Sequence, residues 1–439
     1  LPSLPGALPS LPGALPSLRG YGSGWLADER RFAARCRNLA RLCSAQHEAQ
    51  FVKAGARGAF FYFDCFRFVA ALAVVIEHAR DLLLRKYADV GPVGLSWKAL
   101  YYGTGFGHAA VIVFFVLSGF WISKTVDRRI DGAGSRGAGF WADYLADRLS
   151  RLLIVLVPAL LLGGVFDWTG IHALGGPIYA GTSGSLTIQY PVAERLGLVV
   201  LLGNLAFVQT LLVHTFGSNG ALWSLANEFW YYICYPALVL LLARRRLSGS
   251  LVAIAVMALF PHLLPGFAVW LMGSAIYHAD RRWRGRVSRR AGAVVLLAAA
   301  LLLAASLGAA RVQVFGDVAS DLLVGAAFAG LCWALLVIDP KPVRALGPVS
   351  RYGANASYSL YVTHLPLVVL LAAWLTRAPG HGGRFVPGGM GMLVFTAVVL
   401  GAMAWGWLFA TMTEARTALL RDRVKALLGL RKPDAVSIA

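Results

Sequence analysis

The chain has 439 residues, 58% of them hydrophobic and 14% charged, against about 25% charged in an ordinary soluble domain. With several long, nearly uncharged runs, that composition excludes a soluble enzyme and predicts a polytopic helical membrane protein. The net charge of +20 does not point to nucleic acid, because the basic residues cluster between hydrophobic runs, where they mark the cytoplasmic side and anionic headgroups. Cys36, Cys43, Cys65, Cys234 and Cys332 form no C-x-x-C pair and have no histidine at ligand spacing. Neither a disulfide framework nor a metal site is expected.

In chain order, residues 1–22 begin with the repeat LPSLPGA, whose prolines forbid the helix a heptad needs. They are expected to be a low-complexity Leu/Pro tail. Residues 23–59 space Phe32, Cys36, Leu39 and Cys43 at three- and four-residue intervals, with arginines on the other faces. That suits a basic amphipathic segment on the membrane surface; a solvated basic helix fits nearly as well. No secretory signal with a cleavage site is seen, so the first hydrophobic helix is expected to direct insertion.

Residues 60–84, FFYFDCFRFVAALAVVIEHARDLLL, predict that first span, yet they carry Asp64, Arg67, Glu77, His78 and Asp81. Ionisable groups inside a bilayer cost a few kcal/mol or more, so they usually serve a purpose. Arg67 and His78 stand three turns apart on one face, roughly 16 Å along the axis. Asp64 lies one turn before Arg67 and Asp81 one turn after His78, each placed to pair with its neighbour. Snorkelling ends would account for Asp64 and Arg67. They leave an imidazole about halfway into the bilayer unexplained.

Further spans are predicted near 106–124, 150–166, 195–213, 226–243, 250–279, 291–309, 318–338, 355–375 and 389–410. The fold class is therefore all-α, a membrane helix bundle with about ten transmembrane helices. Basic loops at 124–151, 281–290 and 341–351, with a tail at 411–439, put both termini in the cytoplasm. A single span over 250–279 would leave Arg244 to Arg246 on the wrong side. Pro261 and Pro265 favour two spans there, with 195–213 re-entrant or on the surface.

Three groups on these spans add to His78. Arg148 and Arg151 form an R-x-x-R pair on one helix face, suited to phosphate oxygens or to plain anchoring. Glu228, in LWSLANEFWYY, precedes Tyr232 by one turn in an aromatic span. ASYSLYVTHLP brings Ser357, Tyr358, Ser359, Tyr361 and His364 to another. One base, a few cations, a glutamate and several hydroxyls suit acyl transfer to an alcohol from a phosphorylated donor.

FDCFRFVAALAVVIEH resembles the first-helix motif of membrane acyltransferase family 3, in which an arginine precedes a histidine by eleven positions, here Arg67 and His78. FFVLSGFWIS is similar to the family's second-helix signature, and Arg148 and Arg151 to its cytoplasmic R-x-x-R. LWSLANEFWYY and ASYSLYVTHLP are similar to its S-L-x-x-E-x-x-x-Y and S-Y-S-L-Y-x-x-H segments, which carries over Glu228, Tyr232, Tyr358 and His364. The matches follow in order over residues 60–410. Cys65 and Phe66 depart from the family's usual small residue and leucine. Larger members append a hydrolase-like domain after the last span; the roughly 29 residues beyond Ala410 are too few for one, so a stand-alone core is expected.

The resemblance implies an inner-membrane O-acyltransferase that carries an acyl group, most simply acetyl, from cytosolic acyl-CoA to a hydroxyl of a carbohydrate or glycolipid. Arg67, Arg148 and Arg151 would bind the donor phosphates. His78 would take the hydroxyl's proton, or briefly carry the acyl group, steadied by Asp81 or Glu228. Asp64, Tyr232, Tyr358 and His364 would organise the site or meet the acceptor. Acylation of a small hydrophobic product such as a macrolide stays open, as does transport or flipping of a polar lipid or polyol, although no inverted repeat is seen. Homo-oligomer formation is also left open.

Overall fold

The structure is a computed structural model that describes residues 57–91, 94–131, 138–244, 249–377 and 383–430. The Leu/Pro tail 1–22 and all but the end of the segment 23–59 lie outside the described residues. Among the described residues every regular element is a helix, as a bilayer requires of segments that must satisfy their own backbone. Eight stretches of the described residues are long and apolar enough to cross one: Gly58–Leu83, Leu95–Ile130, Gly139–Leu174, Gly220–Leu242, Arg289–Arg311, Asp317–Ile338, Arg344–Thr376 and Gly389–Leu427.

The first is helix α1 (Gly58–Leu83), 26 residues long. The unpredicted α2 (Leu95–Gly103) leads into α3 (Gly107–Asp131), and α4 (Ala138–Thr169) follows. Residues 124–151, expected as a basic loop, are therefore mostly helix. Arg129 Nε donates to Asp143 Oδ2 at 2.9 Å and ties the two extensions together.

Within 195–213 the helix is α5 (Leu198–Leu205), about 12 Å long and too short to cross. Fully buried Asn204 then turns the chain. Its Nδ2 donates to the Val200 and His214 carbonyls at 2.8 and 2.9 Å, and its Oδ1 accepts the Phe216 N–H at 3.1 Å. Next comes α6 (Trp223–Arg244). The stretch 250–279 is two helices, α7 (Ser250–Leu259) and α8 (Leu263–Trp283), broken around Pro261. Helix α8 runs parallel to α6: Tyr231 donates to the Leu263 carbonyl at 2.9 Å, and further along Tyr235 meets His278 at 3.1 Å. Arg244 and Arg281 thus end on one side, and the charge pattern is consistent.

The chain continues through α9 (Arg289–Arg311), α10 (Asp317–Ile338), α11 (Gly347–Thr376), α12 (Gly389–Met412) and α13 (Thr417–Leu427). At the centre α1 and α11 run parallel in backbone contact. A Cβ on Gly353 of α11 would collide with the Asp64 carbonyl of α1. Helices α3 and α8 use glycines reciprocally, Gly119 against the Trp270 carbonyl and Gly273 against the Val116 carbonyl. Where lipid offers no hydrophobic drive, such close approach supplies the dispersion contacts and weak hydrogen bonds that hold helices together.

One end of the bundle is basic. Arg57 pairs with Asp280 at 2.7 Å and Arg281 with Asp127 at 2.6 Å. Part of the expected tail 411–439 is docked here: α13 lies against α4, with Lys425 Nζ 2.7 Å from Asp143 and 2.6 Å from Asp147. The segment 175–222 covers the opposite end.

Candidate active site

The contact between α1 and α11 sets His78 beside His364, 286 positions apart in sequence. His78 Nδ1 lies 2.9 Å from His364 Nε2, the ring planes 5° apart and the centroids 5.1 Å apart. The remaining bonds decide the protons. His364 Nδ1 is 2.8 Å from the Tyr361 carbonyl and 3.1 Å from the Leu360 carbonyl. A carbonyl only accepts, so Nδ1 carries the proton and Nε2 of the neutral ring is an acceptor. His78 Nδ1 must then donate. His78 Nε2 is left with its lone pair, which is the state a general base needs.

Several side chains keep this geometry. Pro366, two residues past His364, offers no N–H to the Val362 carbonyl, and Asn219 Nδ2 donates to that carbonyl at 2.8 Å instead. The Tyr361 hydroxyl donates to the Ala221 carbonyl at 2.9 Å and meets Ser224 Oγ at 2.6 Å. His364 itself is fully buried, with 0% exposure. His78 lies five residues before the end of α1, roughly 8 Å from it. It is therefore nearer the far end than the halfway depth expected from the sequence.

On the basic side of this pair stands the rest of the predicted set. Tyr232 donates to Glu228 Oε1 at 2.5 Å, Ser118 Oγ lies 3.4 Å from the Tyr232 hydroxyl, and Trp270 Nε1 donates to Ser118 at 3.2 Å. Tyr358 is within electrostatic reach of Glu228, Tyr232 and Arg151, and Arg148 of Tyr232 and Arg151. Arg148 Nε is buried without a hydrogen-bond partner. Among the described residues neither Arg148 nor Arg151 has a carboxylate within ion-pair distance. His78, Arg148 and Tyr358 are enclosed by protein, yet each keeps accessible surface.

Two predicted carboxylates make their hydrogen bonds away from the imidazole pair, although Asp81 stays within electrostatic reach of His78. Asp81 takes its hydrogen bonds from the Thr187 N–H at 2.9 Å, the Thr187 hydroxyl at 2.8 Å and the Ser185 hydroxyl. It fastens the covering segment, and the partner of the His78 Nδ1 proton is an imidazole, where the sequence suggested a carboxylate. Asp64 accepts from Arg67 Nη1 at 3.3 Å, at the basic end. Arg67 comes within reach of Glu414, whose carboxylate accepts from Ser359 Oγ at 3.0 Å.

Comparison with known proteins decides the family. The family described as an acyltransferase domain, acyltransferase family 3, matches residues 60–411. The chain belongs to acyltransferase family 3. A protein of Shigella phage Sf6 named as an O-acetyl transferase is 30% identical over 180 residues, covering 39% of this chain and 43% of the phage protein. The chain thus matches less than half the length of that relative. No solved structure matches it.

For this acyltransferase family 3 chain, sequence reasoning passed over Glu414, Lys425, Ser224 and Ser118 as site neighbours. Ser118 lay in a quoted motif, but its partner Tyr232 is 114 residues away. Glu414 and Lys425 carried no signal beyond a basic stretch after the last apolar run.

Proposed function

We propose that the protein is an integral membrane O-acyltransferase that moves an acyl group, most simply acetyl, from acyl-CoA to a hydroxyl of a carbohydrate. The observation that carries this reading is the His78–His364 pair, whose hydrogen bonds leave His78 Nε2 unprotonated on a half-buried ring. The positive-inside rule supports a cytosolic basic end, and with it cytoplasmic termini in a cell's inner membrane. Acyl-CoA would approach from that end, its phosphates held by Arg148, Arg151 and Arg67 through charge-assisted hydrogen bonds. The flexible arm would present the thioester to His78. The acceptor hydroxyl would come from the other end.

His78 Nε2 then takes the hydroxyl proton as the oxygen attacks the thioester carbon. The tetrahedral intermediate collapses with loss of the thiolate, and the same proton passes from His78 to sulfur. Alcohol and thioester become ester and thiol, with no net proton released. His364 holds the imidazolium in place by accepting from Nδ1 throughout.

Membranes containing the protein, given acetyl-CoA labelled in the acetyl group and a cell-surface glycan extract, are expected to move the label into glycan. Each modified sugar should gain one acetyl mass. Label confined to CoA and free acetate would overturn the reading. The donor clamp has its own test. Arg148→Ala with Arg151→Ala should weaken CoA binding about a hundredfold, since two charge-assisted contacts are lost. An unchanged affinity would return both arginines to membrane anchoring.

A further inference from the structure

We infer that Lys425, on the helix after the last span, is a positioning residue of the donor site that keeps Asp147 from capturing Arg151. The inference rests on the proposed binding of CoA phosphates by Arg148 and Arg151. An acid four residues before a base is the favoured ion pair on a helix face. Asp147 stands four residues before Arg151 in α4. Left to themselves the two would pair, and the guanidinium would be lost to the donor.

A closed square of charges prevents this. Lys425 Nζ reaches one oxygen of each carboxylate, 2.7 Å from Asp143 Oδ1 and 2.6 Å from Asp147 Oδ1. Arg129 takes the other two, Nε at 2.9 Å from Asp143 Oδ2 and Nη2 on Asp147 Oδ2. Two cations thus lie within ion-pair distance of all four oxygens, so both carboxylates already have partners other than Arg151. The Lys425 and Asp147 side chains are each only 14% exposed, so solvent screens them less than a surface pair.

The segment that brings Lys425 is pinned at its other end as well. Just before α13, Glu414 accepts from the Ser359 hydroxyl at 3.0 Å and the Ser359 N–H at 3.4 Å, within reach of Arg151 and Arg67. Residues 413–427 therefore bridge α11 and α4 beside the arginine clamp.

The test uses full-length protein in detergent, with CoA as the probe and calorimetry as the readout. Lys425→Met is expected to weaken CoA binding about fivefold, the scale of coupling between neighbouring charged groups, and Lys425→Arg to keep it. Adding Asp147→Asn to Lys425→Met should restore affinity. Adding Asp143→Asn should not, although it restores the same net charge, because Asp143 stands two turns too far from Arg151 to pair with it. At saturating acetyl-CoA, kcat for Lys425→Met should match the parent. Equal recovery in the two double variants would mean that only net charge matters and would overturn the inference, as would unaltered binding in Lys425→Met. Should that variant aggregate, Lys425→Gln in the same series gives the same comparison. Wild-type protein that does not bind CoA overturns the donor reading, and the inference with it. Binding that is lost in Arg148→Ala/Arg151→Ala but untouched in the Lys425 series sinks the inference alone.

Discussion

His78→Ala is expected to lower acyl transfer by about a thousandfold, the usual scale for losing a general base. The reason is local. Of the paired rings, His78 offers an imidazole nitrogen that the surrounding hydrogen bonds leave without a proton; the other imidazole spends both nitrogens on protein partners. The variant should still reach the membrane, because α1 is held to α11 by the glycine contact at Gly353 and not by this ring. CoA binding should survive, since the proposed phosphate contacts lie about three turns away. Transfer would be measured in membranes matched for protein level, with CoA affinity read in parallel. Activity within threefold of wild type, at matched level, would remove His78 from the chemistry. A second readout separates its two proposed roles: labelled acetyl retained on protein in a single turnover marks a covalent carrier, and its absence a base.

What the sequence made legible, and what it did not, follows from the range of each signal. Hydropathy and prolines are local, so eight of the ten expected spans were readable, and so was the break around Pro261. Charge asymmetry between loops is semi-local, and it was enough to prefer a non-crossing 195–213, where α5 is eight residues long. Partners across the bundle are not local at all. Asp81 stands one turn from His78 and acts on it through space, but its hydrogen bonds come from Ser185 and Thr187, 104 and 106 residues on. The basic stretch after α12 read as a tail because its acidic partners, Asp143 and Asp147, belong to a helix far earlier in the chain. Motif resemblance named His364, but nothing in the sequence placed its ring against His78. That pairing depends on two parallel helices meeting at Gly353, a contact only a missing Cβ allows.

His364→Phe is expected to reduce kcat about a hundredfold while leaving CoA affinity unchanged, and His364→Gln to recover part of the loss. Phenylalanine fills much of the same space but removes the lone pair that accepts from His78 Nδ1. The His78 ring could then shift its proton to Nε2 and present a donor where a base is required. Glutamine can accept through Oε1 and so restore the orientation. A carboxylate in this position would attract the imidazolium by charge as well. At a site with 0% exposure, however, an isolated carboxylate would cost several kcal/mol of desolvation before any substrate arrived. A neutral imidazole avoids that cost and contributes orientation and tautomer choice, which is why its removal should cost less than removal of His78 itself. The measurement is kcat against KM for acetyl-CoA in the two variants. A fall in CoA affinity with kcat intact would make His364 a packing residue of α11. Equal losses in His364→Phe and His364→Gln would show that hydrogen-bond acceptance is not what the position supplies.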